Sequence, residues 1–130
     1  MIDKLAWIYI KDKKVLCCLS KGKTTYYSPG GKRQEGENDV EALVREIKEE
    51  VNVDLILDTV RYYGAFKAQA HGKPEGTYVK MSCYLSEYSG ELEPNNEIEK
   101  IEWLDSKNLD LLSDVGKIIF KDLAEKGLIE

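Results

Sequence analysis

Three carboxylates crowd one side of the stretch "VREIKEEVNV", Val44 to Val53. Glu46, Glu49 and Glu50 stand at i, i+3 and i+4, so a helix would set them side by side. Glu46 and Glu50 form a like-charged i,i+4 pair, which weakens a helix by ~0.2–0.5 kcal/mol. A lysine would serve a solvated helix better. The acids make chemical sense around a divalent cation, which turns their mutual repulsion into attraction. Mg²⁺ takes carboxylate oxygens, keeps part of its water and meets substrate phosphates. Held there, it can offset phosphate charge and make water nucleophilic. A solvated acidic face is the competing reading and the ordinary meaning of a glutamate run. The residues upstream decide between the two.

The elements that must position these acids are legible in outline. A helix is predicted over Asn38 to Val51, opened by a capping box in which Asn38 accepts from the Glu41 amide and Glu41 reaches back. Val40, Leu43, Val44, Ile47 and Val51 form its apolar stripe, the spacing of one helix face packed on a sheet. Before it, "LAWIYI" and "KVLCCLS" read as the two strands of a hairpin across "KDKK". "TTYY" suggests a further short strand ahead of the glycine-rich loop "SPGGKRQEGE". After the helix, "VDLILDTVRYYGAFKAQ", "TYVKMSCYLSEY" and "KIEWLD" are strand-like. The C-terminal "SDVGKIIFKDLAEKGLIE" is helical, with Val115, Ile118, Ile119 and Leu123 expected inward and Gly127 as its stop. This order predicts an α/β protein, a mixed sheet between helices in an α/β/α sandwich.

Composition narrows the function classes. The 130 residues fit a single domain spanning 1–130. Asp and Glu number 24 against 19 Lys and Arg, a net charge of −5. That balance argues against duplex nucleic acid as a partner, since sequence-independent binding needs a basic footprint. A phosphorylated small molecule remains compatible, because a bound cation inverts the local field. No segment is long and apolar enough for a membrane span or a signal peptide, so no membrane partner is expected and the cytoplasm is the expected compartment. Cys17, Cys18 and Cys83 match no zinc spacing and are expected as reduced core thiols, the first two on opposite faces of a strand. His71, in "AHGKPEG", is expected in an exposed loop.

The longer stretch "GGKRQEGENDVEALVREIKEEVNV", Gly30 to Val53, resembles the signature of the Nudix hydrolase superfamily, the MutT-related pyrophosphohydrolases. Gly31 is followed after five residues by Glu37, then after seven by Arg45 and Glu46, with Ile47, Glu49, Glu50 and Val53 in register. One position departs: Asn52 stands where the family has glycine. A left-handed residue is expected there, and Asn tolerates that conformation better than other non-glycine residues.

The resemblance implies a Nudix-like fold and a hydrolase that cleaves a nucleoside diphosphate linked to a further moiety, with Mg²⁺ as cofactor and Mn²⁺ as its substitute. It implies metal ligation by Glu46, Glu49 and Glu50, aided by Glu37 and the Gly30 carbonyl, with Glu50 the least dispensable. It implies that Arg45 orients a glutamate and that Glu37 works through Arg45 or a coordinated water. The general base varies among relatives; Glu46 is one candidate, and Glu97 in "NNEIEKIEW" is the best later one, ahead of Glu99 and Glu102. The expected partner is a nucleotide substrate of nucleoside triphosphate, ADP-ribose or sugar-nucleotide type, and a homodimer is open. Lys21, Lys23, Lys32 and Arg33 are candidates to meet phosphates. Trp7, Tyr9, Tyr26, Tyr27, Tyr62, Tyr63, Phe66 and Tyr78 are candidates to stack a base, with most expected in the core, and Trp103 is expected to be structural. A binding module that has lost catalysis is the alternative, disfavoured because it needs no full set of signature glutamates.

Overall fold

The computed structural model describes residues 1–130. Its strands are β1 (Ile2–Trp7), β2 (Ile10–Lys11), β3 (Lys14–Ser20), β4 (Gly30–Gly31), β5 (Asp54–Leu55), β6 (Arg61–Gln69), β7 (Tyr78–Leu85), β8 (Tyr88–Ser89) and β9 (Ile98–Leu104). Two α-helices, α1 (Asp39–Val51) and α2 (Asp114–Glu125), and two short 3₁₀ turns, Leu57–Thr59 and Ser106–Leu111, complete the chain.

A mixed four-stranded sheet runs β4-β1-β7-β6, and a three-stranded sheet runs β2-β3-β9. β1 and β7 are parallel, from Ile2 opposite Val79 to Trp7 opposite Tyr84, and the other pairings are antiparallel. β1 and β3 are apolar on both faces, the mark of strands covered from both sides. Ala6, Ile8, Val15 and Cys17 join Val115, Ile119, Phe120 and Leu123 of α2 in one core. Leu5, Trp7, Leu16 and Cys18 join Leu43, Ile47 and Val51 of α1 in the other. The architecture is the expected α/β/α sandwich. Alternation sends Cys17 to one core and Cys18 to the other, and with Cys83 all three thiols are buried and free.

Several elements differ from expectation. "LAWIYI" is not one arm of a hairpin: β1 ends at Trp7 and joins the mixed sheet, while the short β2 pairs with β3. The hairpin turn is made by Asp12 and Lys13, both at positive φ, the twist a two-residue connection demands. "TTYY" forms no strand; Tyr26 and Tyr27 make isolated bridges to Leu112 and Cys18. The run after α1 breaks into β5, a 3₁₀ turn and β6. Ile118 is 41% exposed, and Phe120 takes the inward place expected for it. At 100° per residue, Val115, Ile119, Leu123 and Phe120 span one arc, and Ile118 lies beyond its edge.

Candidate active site

Helix α1 begins as its sequence requires. Asn38 accepts from the Glu41 amide at 2.8 Å, and the Glu41 carboxylate accepts from the Asn38 amide at 2.9 Å. The helix ends at Asn52, left-handed at φ 60°, ψ 30°. Its last carbonyls are satisfied by a returning loop: the Glu93 amide donates to Val51, the Asn95 amide to Glu50, and the Asn96 side-chain amide to Glu49, each at 3.0 Å. That loop carries Glu97 to the C-terminal end of the acidic face, where its charge acts on Glu46 and Glu50.

Gly30 and Gly31 bring the other wall into contact with the helix. Gly30, at φ 151°, pairs with β1 so closely that a Cβ would lie 2.0 Å from the Leu5 carbonyl oxygen. A Cβ on Gly31 would lie 2.6 Å from the Glu46 carboxyl carbon. Only glycine lets the backbone approach this near. The Gly30 amide donates to the Glu50 carboxylate at 2.9 Å. Glu50 is 4% exposed, and no cation lies within ion-pair reach of it. Burial, followed by the charges of Glu46 and Glu97, outweighs that hydrogen bond and pushes the Glu50 carboxyl up to about 8. Burial also raises Glu46, against the pull of Arg45.

Arg45 organises the remaining acids. Its Nε and Nη2 donate to the two Glu37 oxygens at 2.8 and 2.9 Å, a bidentate fork. Its Nη1 donates to Glu46 at 2.9 Å and approaches Glu49 at 3.4 Å, and Nη2 also reaches the Lys32 carbonyl. The Gln34 amide adds a further donor to Glu37. Arg45 first and Gln34 second hold the Glu37 carboxyl down at about 2.

The predicted residues therefore occupy one side of the molecule, in distinct settings. Glu46 and Glu50 line a cleft of about 790 Å³ with Gly30 and Gly31. Glu49 is 46% exposed beside Arg45, and both oxygens of Glu37 are engaged by nitrogen donors. No three acidic, His or Cys side chains are drawn together as a ready cation cage, because Glu46 and Glu49 turn toward Arg45. The donor set still suits a hard divalent ion: a buried carboxylate without a cation and a second carboxylate lining the same cleft.

Of the basic candidates, Lys23 and Lys32 line the cleft, whereas Lys21 does not and Arg33 pairs with Asp39 at 2.7 Å. Lys4, Lys73 and His71 also line it and went unrecognised as site residues in the sequence. Lys4 stands between Ile2 and Ala6 on one face of the strand "IDKLAW", which was the available signal. Burial, then the neighbouring Lys32 and Lys73, lower its pKa. His71 is exposed, as expected, and its Nε2 lies 3.3 Å from Thr25 Oγ1. Among the aromatic candidates Tyr27 alone lines the cleft; its hydroxyl is hydrogen-bonded to Ser20 Oγ. Trp103 packs edge-on against Tyr9.

Known proteins resemble this chain to different depths. A family model described as the NUDIX domain matches residues 4–122. The ADP-ribose pyrophosphatase of Methanocaldococcus jannaschii is 32% identical over 115 residues, covering 86% of this chain and 66% of that protein. The mRNA-decapping enzyme subunit 2 of Saccharomyces cerevisiae is 29% identical over 96 residues, 74% of this chain, which spans only 10% of that protein's length. The crystal structure of a MutT NUDIX hydrolase from Burkholderia pseudomallei matches with a TM-score of 0.73 at 21% identity, over 92% of this chain and 95% of that one. At such identity the likeness is one of fold.

Proposed function

Because the chain belongs to the NUDIX domain family, we propose that it is a divalent-metal-dependent pyrophosphohydrolase. It splits a nucleoside diphosphate linked to a further moiety into a nucleoside monophosphate and the phosphorylated moiety. The observation that carries this reading is Glu50, a buried carboxylate in a cleft wall with one amide hydrogen bond and no cation. Leaving an ionised acid so placed is costly, and a divalent ion removes the cost.

Glu46 and Glu50, with the exposed Glu49 and the Gly30 carbonyl, are the residues that would hold Mg²⁺ or Mn²⁺. The ion would offset phosphate charge and lower the pKa of attacking water. The chain's own residues do the positioning. Arg45 fixes one Glu46 oxygen and is itself held by Glu37, so the guanidinium ties the two acids together. Gly31 lets the Glu46 carboxylate lie flat against the opposite backbone. Glu97, at the end of the acidic face but outside the cleft lining, is one candidate to accept a proton from water, and Glu46, which lines the cleft, is the other. The substrate is a small nucleotide, and the similarity to an ADP-ribose pyrophosphatase supports including ADP-ribose among the compounds tested.

The test is product analysis across nucleoside triphosphates, ADP-ribose and sugar nucleotides, with and without Mg²⁺, in ¹⁸O-labelled water. The expected result is Mg²⁺-dependent release of a nucleoside monophosphate with label on one product phosphate. Absence of turnover across the panel, with Mg²⁺ or Mn²⁺ present, overturns the reading.

A further inference from the structure

The cleft holds more positive charge than a plain diphosphate uses. Lys4 from β1, Lys23 from the turn after β3, Lys32 after β4 and Lys73 from the loop between β6 and β7 all line it. Four segments remote in sequence thus each send a lysine to one place, in a chain whose net charge is −5. None of the four forms an ion pair with a carboxylate. Lys4 is half-buried on β1, with apolar Ile2 and Ala6 two positions to either side on the same face, where an ammonium group pays a desolvation cost that a solvated surface lysine avoids.

Charge balance says what these groups await. One divalent ion offsets the Glu46 and Glu50 carboxylates that face the lysines. A diphosphate esterified at both ends carries roughly one negative charge per phosphate, as in a nucleic-acid backbone. Such a substrate leaves about half of the lysine charge uncompensated. A further phosphate adds about −1.5 to −2 when it is terminal, which closes the balance.

Resting on the hydrolase reading of the same cleft, we infer that the preferred substrate bears phosphate beyond the scissile pair, with Lys4 and Lys73 as specificity-determining residues. A free terminal phosphate, as in a nucleoside triphosphate, and an internal one, as in a dinucleoside tetraphosphate, share this chemistry. A neutral sugar as the second moiety lacks it.

Binding and turnover are measured separately. Calorimetric titration with Mg²⁺ uses the α,β-methylene analogues of ATP and ADP-ribose, which are not cleaved at that linkage. The ATP analogue is expected to bind at least tenfold more tightly, with the ratio falling as salt rises. Lys73→Gln, in an exposed loop, is expected to shrink the ratio several-fold; Lys4→Met is the second variant, and Lys121→Gln on α2 the control that leaves it unchanged. Equal affinity for the two analogues, or a ratio untouched by both cleft variants, overturns the inference. Values of kcat/KM for ATP and diadenosine tetraphosphate then show whether the extra phosphate is free or esterified. Tenfold binding preference without turnover of any nucleotide keeps this inference and defeats the hydrolase reading. Efficient ADP-ribose turnover with equal affinities does the reverse.

Discussion

The Gly30 amide donates a 2.9 Å hydrogen bond to the carboxylate of Glu50, twenty positions later in the chain. This contact joins the glycine-rich wall to the acidic helix and leaves Glu50 facing the cleft with no other protein donor. Burial pushes its carboxyl up to about 8, so ionising it without a cation is costly.

Glu50→Gln is expected to preserve the fold, because the amide oxygen can still accept from Gly30. Turnover should fall by orders of magnitude with the loss of an anionic oxygen facing the cleft. Without metal at pH 8, the variant should melt no lower than the parent, since it removes a buried charge. Near-parental turnover in the variant would refute the assignment of Glu50.

The two glycines should fail differently. Gly30→Ala meets the Leu5 carbonyl oxygen at 2.0 Å and holds a positive φ, so a stability loss of at least about 2 kcal/mol is expected. Gly31→Ala meets only the movable end of Glu46. Its stability should change by less than about 1 kcal/mol, while activity drops as the carboxylate is pushed aside. Denaturant melts paired with kcat separate the two; similar losses of both kinds at both positions would contradict this division.

Arg45→Lys is expected not to restore what Arg45→Ala removes. A single ammonium cannot replace the fork that holds both Glu37 oxygens while reaching Glu46. Both variants should show reduced kcat and a higher Mg²⁺ requirement. A lysine variant with parental Mg²⁺ dependence would show that charge alone is enough.

Asn52→Gly should alter stability by no more than about 1 kcal/mol. Asn52 already adopts the left-handed conformation at φ 60°, and its side chain has no part in the acidic face. Activity is expected to be kept. A marked change in kcat, measured beside a melt, would assign Asn52 a further role.

Acid stability tests a pair distant from the cleft. Asp105 is 2% exposed and accepts from Lys14 Nζ at 2.9 Å and from the Lys107 amide. Lys14 first, and that amide second, lower the Asp105 pKa below its ordinary 3.8. A depressed folded pKa means stability that is fully present above the unfolded value and lost as pH falls through the folded one. Asp105→Asn should therefore cost about 1–3 kcal/mol at pH 7, with a smaller deficit below roughly pH 4. An unchanging deficit across urea melts from pH 7 to pH 2.5 would remove the ionic contribution.

Local patterns predicted a good deal of this molecule. The α1 boundaries, its capping box, the left-handed Asn52 and the opposed Cys17 and Cys18 depend on neighbours within a few positions, where propensity and periodicity act. The acidic spacing and the glycine pair were legible for the same reason, because the chemistry needs fixed offsets along one helix and one loop. What escaped depends on pairing across distance. The split of "LAWIYI" between two sheets follows from the parallel register of β1 with β7, some seventy-seven residues later. The placement of Lys4 and Lys73 beside Lys32 follows from the same pairing, since it joins the strand bearing Lys4 to the loop bearing Lys73. Arg45 standing between Glu46 and Glu49, where a shared cation was expected, is likewise a matter of side-chain packing in space. Residue types and local spacing thus named the candidate groups. Long-range strand pairing and burial settled which of them face one another, because a contact between distant segments leaves no periodic trace in either.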